Sequence, residues 1–79
     1  MKLQLQYFAL LHEQRGLTEE TVETTAGTPV ALYEELRARH AFSLPPDRVR
    51  AAVNGAFVAA DAPLKDGDRI VFIPPVAGG

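Results

Sequence analysis

The sequence predicts an α+β fold in which one main helix covers one face of a mixed sheet of four to five strands. Three observations predict it: polar and apolar residues alternate at 2–7, an amphipathic stretch covers 29–40, and tight turns separate apolar segments after residue 48. At 79 residues the chain has room for one small core. We therefore expect a single domain over residues 1–79.

The first segment has the period-2 pattern of a strand. Leu3, Leu5 and Tyr7 alternate with polar residues, which predicts a strand with one buried face. Phe8 breaks the pattern by placing an aromatic ring on the polar side, so we expect it to face a partner. Residues 9–15 then predict one or two helical turns that end at Gly16.

The middle of the chain predicts a short strand followed by the main helix. Residues 20–25 are rich in threonine and are expected to pair with the first strand. Thr28 supplies an N-cap, and proline follows at the first helical position of a helix over 29–40. Leu32 and Leu36 lie on one face of that helix, and its charged residues are expected to face water.

The second half of the chain predicts the remaining strands. Asn54-Gly55 supplies the two positive φ angles of a type I′ turn, which predicts a hairpin between 49–53 and 56–59. A second tight turn at 64–68 leads to residues 69–73, which are apolar on both faces, as a central strand is.

Composition excludes several classes of function. Eight Lys and Arg residues against ten Asp and Glu give a net charge of −2 without a basic block, so nucleic-acid binding has no support. Without cysteine, disulfides and thiolate sites are ruled out, and the chain suits a reducing cytoplasm. No apolar run predicts a signal peptide or a membrane span. His12 and His40 are not grouped with other ligands, so we expect no metal site.

The most informative segment is the last one. Gly78-Gly79 follows Pro74-Pro75, and two glycines give the narrowest cross-section that a polypeptide can have. The prolines favour polyproline II, so residues 74–79 are expected to reach roughly 19 Å. This pattern predicts that the carboxylate of Gly79 is the functional group of the chain and that it is inserted into the active site of another protein.

Three motifs resemble the family of small, sulfur-carrying subunits of molybdopterin synthase. They are Ala-Ala-Val-Asn at 51–54, Leu-Lys-Asp-Gly-Asp at 64–68 and Phe-Ile-Pro-Pro-Val-Ala-Gly-Gly at 72–79. Tyr7-Phe8-Ala9 before the short helix also matches the opening of that family. The resemblance covers nearly the whole chain and implies a ubiquitin-like β-grasp fold with an extended C-terminal tail at 73–79.

The resemblance also implies a chemistry. Gly79 is expected to be adenylated, converted into a thiocarboxylate, and used to give sulfur to cyclic pyranopterin monophosphate in molybdenum cofactor biosynthesis. The chain alone would be no enzyme and would bind no permanent cofactor, because the activating partner uses the ATP. The implied partners are the large synthase subunit, an E1-like adenylating enzyme and a sulfur donor protein. The family arrangement is a heterotetramer with two small subunits on a large-subunit dimer.

The expected partner-binding residues lie near the tail. Phe8, Phe57 and Ile73 are expected to form an exposed apolar patch, and Arg69 to add a charge at its rim. His12 stands where the resemblance implies an arginine that contacts the activating enzyme. The tail itself would contribute Pro74, Pro75, Val76 and Ala77 to partner binding, and Gly78 would belong with Gly79 to the sulfur-carrying end.

Three alternatives share these features. A thiamin-pathway sulfur carrier shares the fold and the terminal glycines, but is typically shorter and lacks the Phe-Ile-Pro-Pro approach. A ubiquitin-like modifier would be conjugated to lysines and would produce adducts of higher mass. An interaction module with an idle tail would keep its function when Gly79 is deleted.

Overall fold

The computed structural model describes residues 1–75, which form one five-stranded sheet and its covering helices. The elements are β1 (Lys2–Tyr7), α1 (Ala9–Arg15), β2 (Glu19–Glu23), α2 (Pro29–His40), a 3-10 turn (Pro46–Arg48), β3 (Arg50–Val53), β4 (Ala56–Val58) and β5 (Arg69–Ile73). The expected α+β class and number of strands are confirmed, and α1, α2 and β5 have the predicted bounds.

The strand order places β5 at the centre of the sheet. Within the described residues the order is β2-β1-β5-β3-β4, with β1 parallel to β5 and the other neighbours antiparallel. The parallel pair matches Gln4 with Arg69 and Tyr7 with Phe72. Both strands therefore end at the same edge of the sheet, where α1 begins and the C-terminal segment leaves β5.

One face of the sheet carries the core. The alternation in β1 directs Leu3, Leu5 and Tyr7 inward, and each is at most 2% exposed. Leu32, Tyr33 and Leu36 of α2 pack on this face with Ile70 and Phe72 of β5. Phe42 closes the end of the core and stacks on Tyr33, with ring centroids 5.9 Å apart.

Both ends of α2 follow local rules. The hydroxyl of Thr28 accepts a hydrogen bond from the Ala31 N–H at 3.3 Å, which is the predicted N-cap. At the other end Ala41 has a φ of 56°, in the left-handed region that ends helices and favours glycine. The chain thus carries a strained C-cap residue at this position.

The second strand begins and ends earlier than predicted. It covers Glu19–Glu23 rather than 20–25, because the ladder with β1 ends at Glu23, which pairs with Lys2 at the start of β1. Thr24 is 5% exposed, donates to Glu35 Oε1 at 3.0 Å and accepts from the Ala26 N–H at 3.0 Å. These bonds fold the chain away from the sheet toward α2.

The prediction that every charged side chain of α2 faces water was wrong for two residues. Glu35 is half-buried and accepts the Thr24 hydrogen bond. Arg37 is also half-buried, and its Nε donates to the carbonyl of Phe42 at 3.2 Å. Both side chains tie α2 to the loops beside it.

The two turn motifs hold together the edge of the sheet that lies opposite α1. The carboxylate of Asp68 accepts from the Lys65 N–H and from Asn54 Nδ2, both at 2.9 Å. These bonds hold the pKa of Asp68 below its ordinary value, the bond from the Lys65 backbone having the largest effect. Asp66 accepts from the Lys2 N–H at 2.7 Å. The described contacts of these motifs are structural.

Candidate functional site

An apolar groove lies where β1 and β5 end and the C-terminal segment leaves the sheet. Its volume is about 520 Å³. It lies between α1 and the first residues of the tail, and it is lined by Phe8, Ala9, Leu10, Glu13, Leu44, Ile73, Pro74 and Pro75. The groove therefore unites three of the predicted contact regions: Phe8, Ile73 and the two prolines.

Phe8 reaches this groove because of where the first strand stops. It is the residue that precedes α1, with extended backbone angles, and it follows the inward-facing Tyr7. Its ring points to the opposite side from the core and is 46% exposed, which agrees with the prediction. An exposed aromatic ring beside an apolar groove is typical of a contact surface.

The C-terminal tail starts to leave the fold later than predicted. Ile73 is half-buried, Pro74 is buried in the groove wall, and Pro75 is exposed. Proline cannot donate a ladder hydrogen bond, so β5 ends here as expected. Val76, Ala77, Gly78 and Gly79 lie outside the described residues.

The helix that forms one wall of the groove is fixed at both ends. Leu11 is fully buried in the core, and Gly16 ends α1 with a φ of 81°. In the last turn Arg15 makes two 2.9 Å hydrogen bonds to the carboxylate of Glu20 on β2. The same carboxylate accepts from the buried hydroxyl of Tyr7 at 2.6 Å. This three-residue network sets the position of α1 against the sheet.

Hydrogen bonds and burial in this network shift the pKa values of Glu20 and Tyr7. The hydrogen bonds from Arg15, and then from Tyr7, hold the pKa of Glu20 below its ordinary value. Burial, reinforced by the bond to Glu20, raises the pKa of Tyr7 well above its ordinary value. At neutral pH the pair is therefore a carboxylate that accepts from a neutral phenol.

His40 differs from the expectation for a residue at a helix C-terminus. A helix dipole favours the charged imidazolium, but here burial, followed by the nearby charge of Arg15, lowers the pKa of His40. The ring lies 5.7 Å from that of Phe42. His40 therefore belongs to the margin of the core.

Phe57 lies on the open face of the sheet, which is the face opposite the core, and it does not line the groove. It is on the edge strand β4, opposite Ala52, and is 60% exposed. The guanidinium of Arg50 lies 4.8 Å from the centre of its ring, and Arg50 is paired with Ile73 in the β3–β5 register. The guanidinium of Arg50 thus lies between the exposed ring of Phe57 and the groove that Ile73 lines.

Arg69 does not border the groove. It stands at the start of β5, four residues before Ile73, and its Nη2 lies 2.7 Å from Glu19 Oε1. Because this pair partly neutralises its charge, Arg50 is the cation at the rim of the apolar face. Arg69 shares a face of β5 with Ile73 but does not line the groove, and its role as a rim charge in partner binding stays a prediction.

His12 lies on α1 but does not line the groove. Its Nε2 is 3.3 Å from the hydroxyl oxygen of Thr18, and the side chain is exposed. The two motifs at 51–54 and 64–68 also lie elsewhere in the fold, apart from Ala52 on the open face. Among residues 1–75 no group of three potential ligands could hold a metal ion.

Sequence reasoning did not select four residues of the groove as contact residues: Ala9, Leu10, Glu13 and Leu44. Leu10 and Leu11 are adjacent leucines, and only the direction of α1 decides that Leu11 is buried while Leu10 is 37% exposed. Leu44 packs against the core and also lines the groove. Within residues 1–75, no helix has the length and apolarity needed to cross a bilayer.

Comparison with known proteins identifies relatives across almost the whole length. The sequence profile of the ThiS family matches residues 5–79. The chain is 38% identical over 76 residues to the molybdopterin synthase sulfur carrier subunit of Escherichia coli, covering 92% of this chain and 94% of that protein.

Solved structures show the same fold. A putative molybdopterin converting factor, subunit 1, from Pyrococcus furiosus is 36% identical, with 96% and 99% of the two chains covered and a TM-score of 0.80. A chain in the complex of subunits 1 and 2 of the molybdopterin-converting factor from Helicobacter pylori is 25% identical, with full coverage of both chains and a TM-score of 0.68. A ubiquitin from Caldiarchaeum subterraneum, 24% identical, covers 100% and 98% at a TM-score of 0.64. The ubiquitin-like β-grasp fold is thereby confirmed.

Proposed function

The chain belongs to the ThiS family, and we propose that it is the sulfur carrier subunit of a molybdopterin synthase, with Gly79 as the group that carries sulfur. The sulfur-carrier role has the support of relatives that bear this name and align over nearly their whole length. The structural observation that carries the proposal is the apolar groove beside Pro74 and Pro75, at the point where the tail leaves the sheet.

The proposed chemistry begins with a carboxylate, which is a poor electrophile because its charge is delocalised. An E1-like partner transfers the adenylyl group of ATP to the carboxylate of Gly79 and releases pyrophosphate. Sulfur that the donor protein releases at the oxidation level of hydrosulfide then attacks the carbonyl carbon, a C–S bond forms, AMP leaves with the electron pair of the C–O bond, and the S–H proton passes to solvent. The product is a C-terminal thiocarboxylate, a soft and ionised nucleophile at neutral pH.

The thiocarboxylate would then give its sulfur to cyclic pyranopterin monophosphate in the large subunit. Two sulfurs are needed for a dithiolene, so two carrier turnovers make one product. The described residues contribute position rather than acid–base groups to these steps: Glu13 is the only titratable side chain that lines the groove. The catalytic groups are therefore assigned to the partners.

Docking on the large subunit is proposed to use the groove and the open face of the sheet. Apolar walls with one carboxylate at the margin suit a partner that inserts a hydrophobic side chain between Phe8 and Ile73. Arg50 and Phe57 would form a second contact on the same face. A related chain has been solved in a complex of subunits 1 and 2 of the molybdopterin-converting factor.

Replacement of Phe8 by aspartate tests the docking surface without weakening the helix. Phe8 occupies the N-cap position of α1 and makes no side-chain cap, and aspartate is a favoured N-cap residue. A charge placed in the groove should weaken binding of the large subunit by at least about tenfold, or 1.4 kcal/mol. Leu17→Asp is the control, because Leu17 is 40% exposed but does not line the groove.

The carrier role itself is tested by deletion of Gly79 in a reconstituted synthase. The truncated chain should fold with an unchanged melting temperature, bind the large subunit and yield no molybdopterin. Product formation by the truncated chain would overturn the proposal. Sulfur transfer to a thiazole-forming enzyme, without transfer to a pyranopterin, would assign the chain to the thiamin pathway.

A further inference from the structure

We infer that the placement of lysines in this fold protects the activated carboxyl group of Gly79 from capture by the chain's own lysine amines. The inference rests on the proposed function, since it concerns the fate of the activated tail. The chain has only two lysines, Lys2 and Lys65, against six arginines. Both lysines lie near the N-terminal ends of β1 and β5, and the tail leaves at the opposite end of these strands.

The position of the two lysines is fixed by backbone hydrogen bonds. The Lys2 N–H donates to Asp66 at 2.7 Å, and the Lys2 carbonyl accepts from the Gly67 N–H at 2.7 Å. The Lys65 N–H donates to Asp68 at 2.9 Å, and its carbonyl accepts from the Asp68 N–H at 3.1 Å. Lys2 begins β1 and the Lys65 turn precedes β5, while the tail leaves at the far end of both strands.

The length of the tail does not span this separation. Lys2 lies five residues before Tyr7, which pairs with Phe72, and Pro75 lies three residues beyond Phe72. At about 3.3 Å per residue the two ends are about 26 Å apart. The four residues after Pro75 reach at most about 14 Å, so a gap of about 12 Å remains. That gap is longer than the four-carbon side chain of a lysine.

Lys65 is also too far from the tail for its amine to reach the carboxyl carbon of Gly79. Lys65 belongs to a turn with Asp68, which lies seven residues before Pro75, or about 23 Å along an extended chain. After the tail's reach of about 14 Å, about 9 Å remains. Neither amine can therefore attack the carboxyl carbon of the same molecule while the sheet is folded.

The surroundings of the tail supply positive charge without a nucleophilic amine. The groove is lined by carbon side chains and by the carboxylate of Glu13. The nearest cation on the open face is Arg50, which pairs with Ile73. A guanidinium stays protonated in proteins and has no free electron pair to attack a carbonyl, whereas a lysine amine has one when deprotonated.

The reaction avoided by this placement is aminolysis. A lysine Nζ would form a C–N bond with the carbonyl carbon of Gly79, the bond from that carbon to the adenylate oxygen would break, and AMP would leave with the electron pair. The ammonium proton would pass to solvent. The resulting amide cannot be charged with sulfur, so a lysine within reach would remove the carrier from use.

The experiment uses the full chain with Gly79 converted into an α-thioester of a small thiol by intein cleavage. This probe has an activated carboxyl and needs no adenylating enzyme, so its outcome does not depend on whether the chain carries sulfur. The test variant is Glu13→Lys, which places an amine beside Pro75. Glu13→Arg adds the same charge without the nucleophile, and Glu23→Lys adds a lysine opposite Lys2 in the β1–β2 register.

The readout is the loss of the thiol from the intact mass without gain of water, mapped to a peptide that joins residues 13 and 79. A tethered amine has an effective concentration on the order of 1 mM, so at about 10 μM protein Glu13→Lys should form amide about 100-fold faster than the native chain. Glu13→Arg and Glu23→Lys should only hydrolyse.

Two results would overturn the inference. One is cyclisation of the native chain through Lys2 or Lys65 at a rate independent of protein concentration. The other is a Glu13→Lys chain, shown to be folded by circular dichroism, that hydrolyses like the native chain. A failure of the proposed function has a different signature, since it would leave this chemistry intact and abolish adenylation of Gly79.

Discussion

Replacing Tyr7 by phenylalanine removes one hydroxyl from the network that positions α1. That hydroxyl donates to Glu20 at 2.6 Å from a residue that is 1% exposed, and Glu20 keeps its two bonds from Arg15. A hydrogen bond to a charged group contributes about 1.5–3 kcal/mol net. With about 4–8 °C per kcal/mol for a domain of this size, a loss of about 2 kcal/mol lowers the melting temperature by about 8–16 °C.

Tyr33→Phe is the matched control, because the chemical change is identical. The Tyr33 hydroxyl donates to the neutral carbonyl of Leu44 at 2.8 Å, so its loss should cost about 1 kcal/mol, or about 4–8 °C. Tyr33 is 2% exposed, which makes the two sites comparable in burial. Thermal unfolding followed by circular dichroism measures both effects.

The dependence on pH separates the two variants further. Because the pKa of Glu20 is lowered in the folded chain, chiefly by Arg15, its stabilisation is complete above its ordinary value of 4.5 and is lost as the pH falls through the folded-state pKa. The penalty of Tyr7→Phe should therefore shrink toward that of Tyr33→Phe as the pH falls through the lowered pKa of Glu20. Equal penalties at neutral pH, or a Tyr7→Phe penalty that does not change with pH, would refute this account of the network.

Two further substitutions test the packing and the strained cap. Ala41→Gly should raise the free energy of unfolding by about 0.5–1 kcal/mol. Glycine adopts a left-handed φ of 56° without the steric cost that alanine has there, although the larger entropy of glycine in the unfolded chain offsets part of this gain. A lower denaturant midpoint would contradict the prediction. Leu36→Ala should lower that free energy by about 2–5 kcal/mol, because Leu36 is fully buried under the sheet. Leu17→Ala, at an exposed leucine, should change it by less than about 0.5 kcal/mol, and similar losses at both leucines would contradict the assigned core.

Much of the fold was predictable because its signals are local. Leu3, Leu5 and Tyr7 alternate without interruption, and Thr28 with the proline after it determines where α2 begins. Asn54 and Gly55 have φ angles of 51° and 91°, the two positive values that the hairpin turn requires. At each of these places the residue type alone limits the backbone to one conformation.

The remaining features depend on contacts between distant segments. The hydrogen bond from the buried hydroxyl of Thr24 depends on Glu35 of α2, eleven residues away. The choice of Arg50 over Arg69 beside the groove follows from the antiparallel register of β3 and β5, which no local pattern encodes. The burial of Pro74 depends likewise on the position of α1 and Leu44.

The residues of the candidate site likewise divide into those that a local pattern predicts and those that depend on contacts between distant segments. The exposure of Phe8 follows from a break in alternation that is visible in the sequence. The exposure of Leu10, by contrast, depends on the direction in which α1 lies against the sheet, and that direction is set by the bond between Arg15 and Glu20. The terminal glycines were the strongest functional signal, and their role stays a prediction.

The most direct test of the central claim is the intact mass of the chain after incubation with ATP, an E1-like adenylating enzyme and a sulfur donor. The account predicts that one oxygen is exchanged for sulfur, that the change maps to Gly79, and that a chain lacking Gly79 shows none. The same incubation without ATP is the control, and it should leave the mass unchanged. An unaltered mass in the complete reaction, with the enzyme active on its own carrier, would contradict the assignment of Gly79 as the sulfur-carrying group.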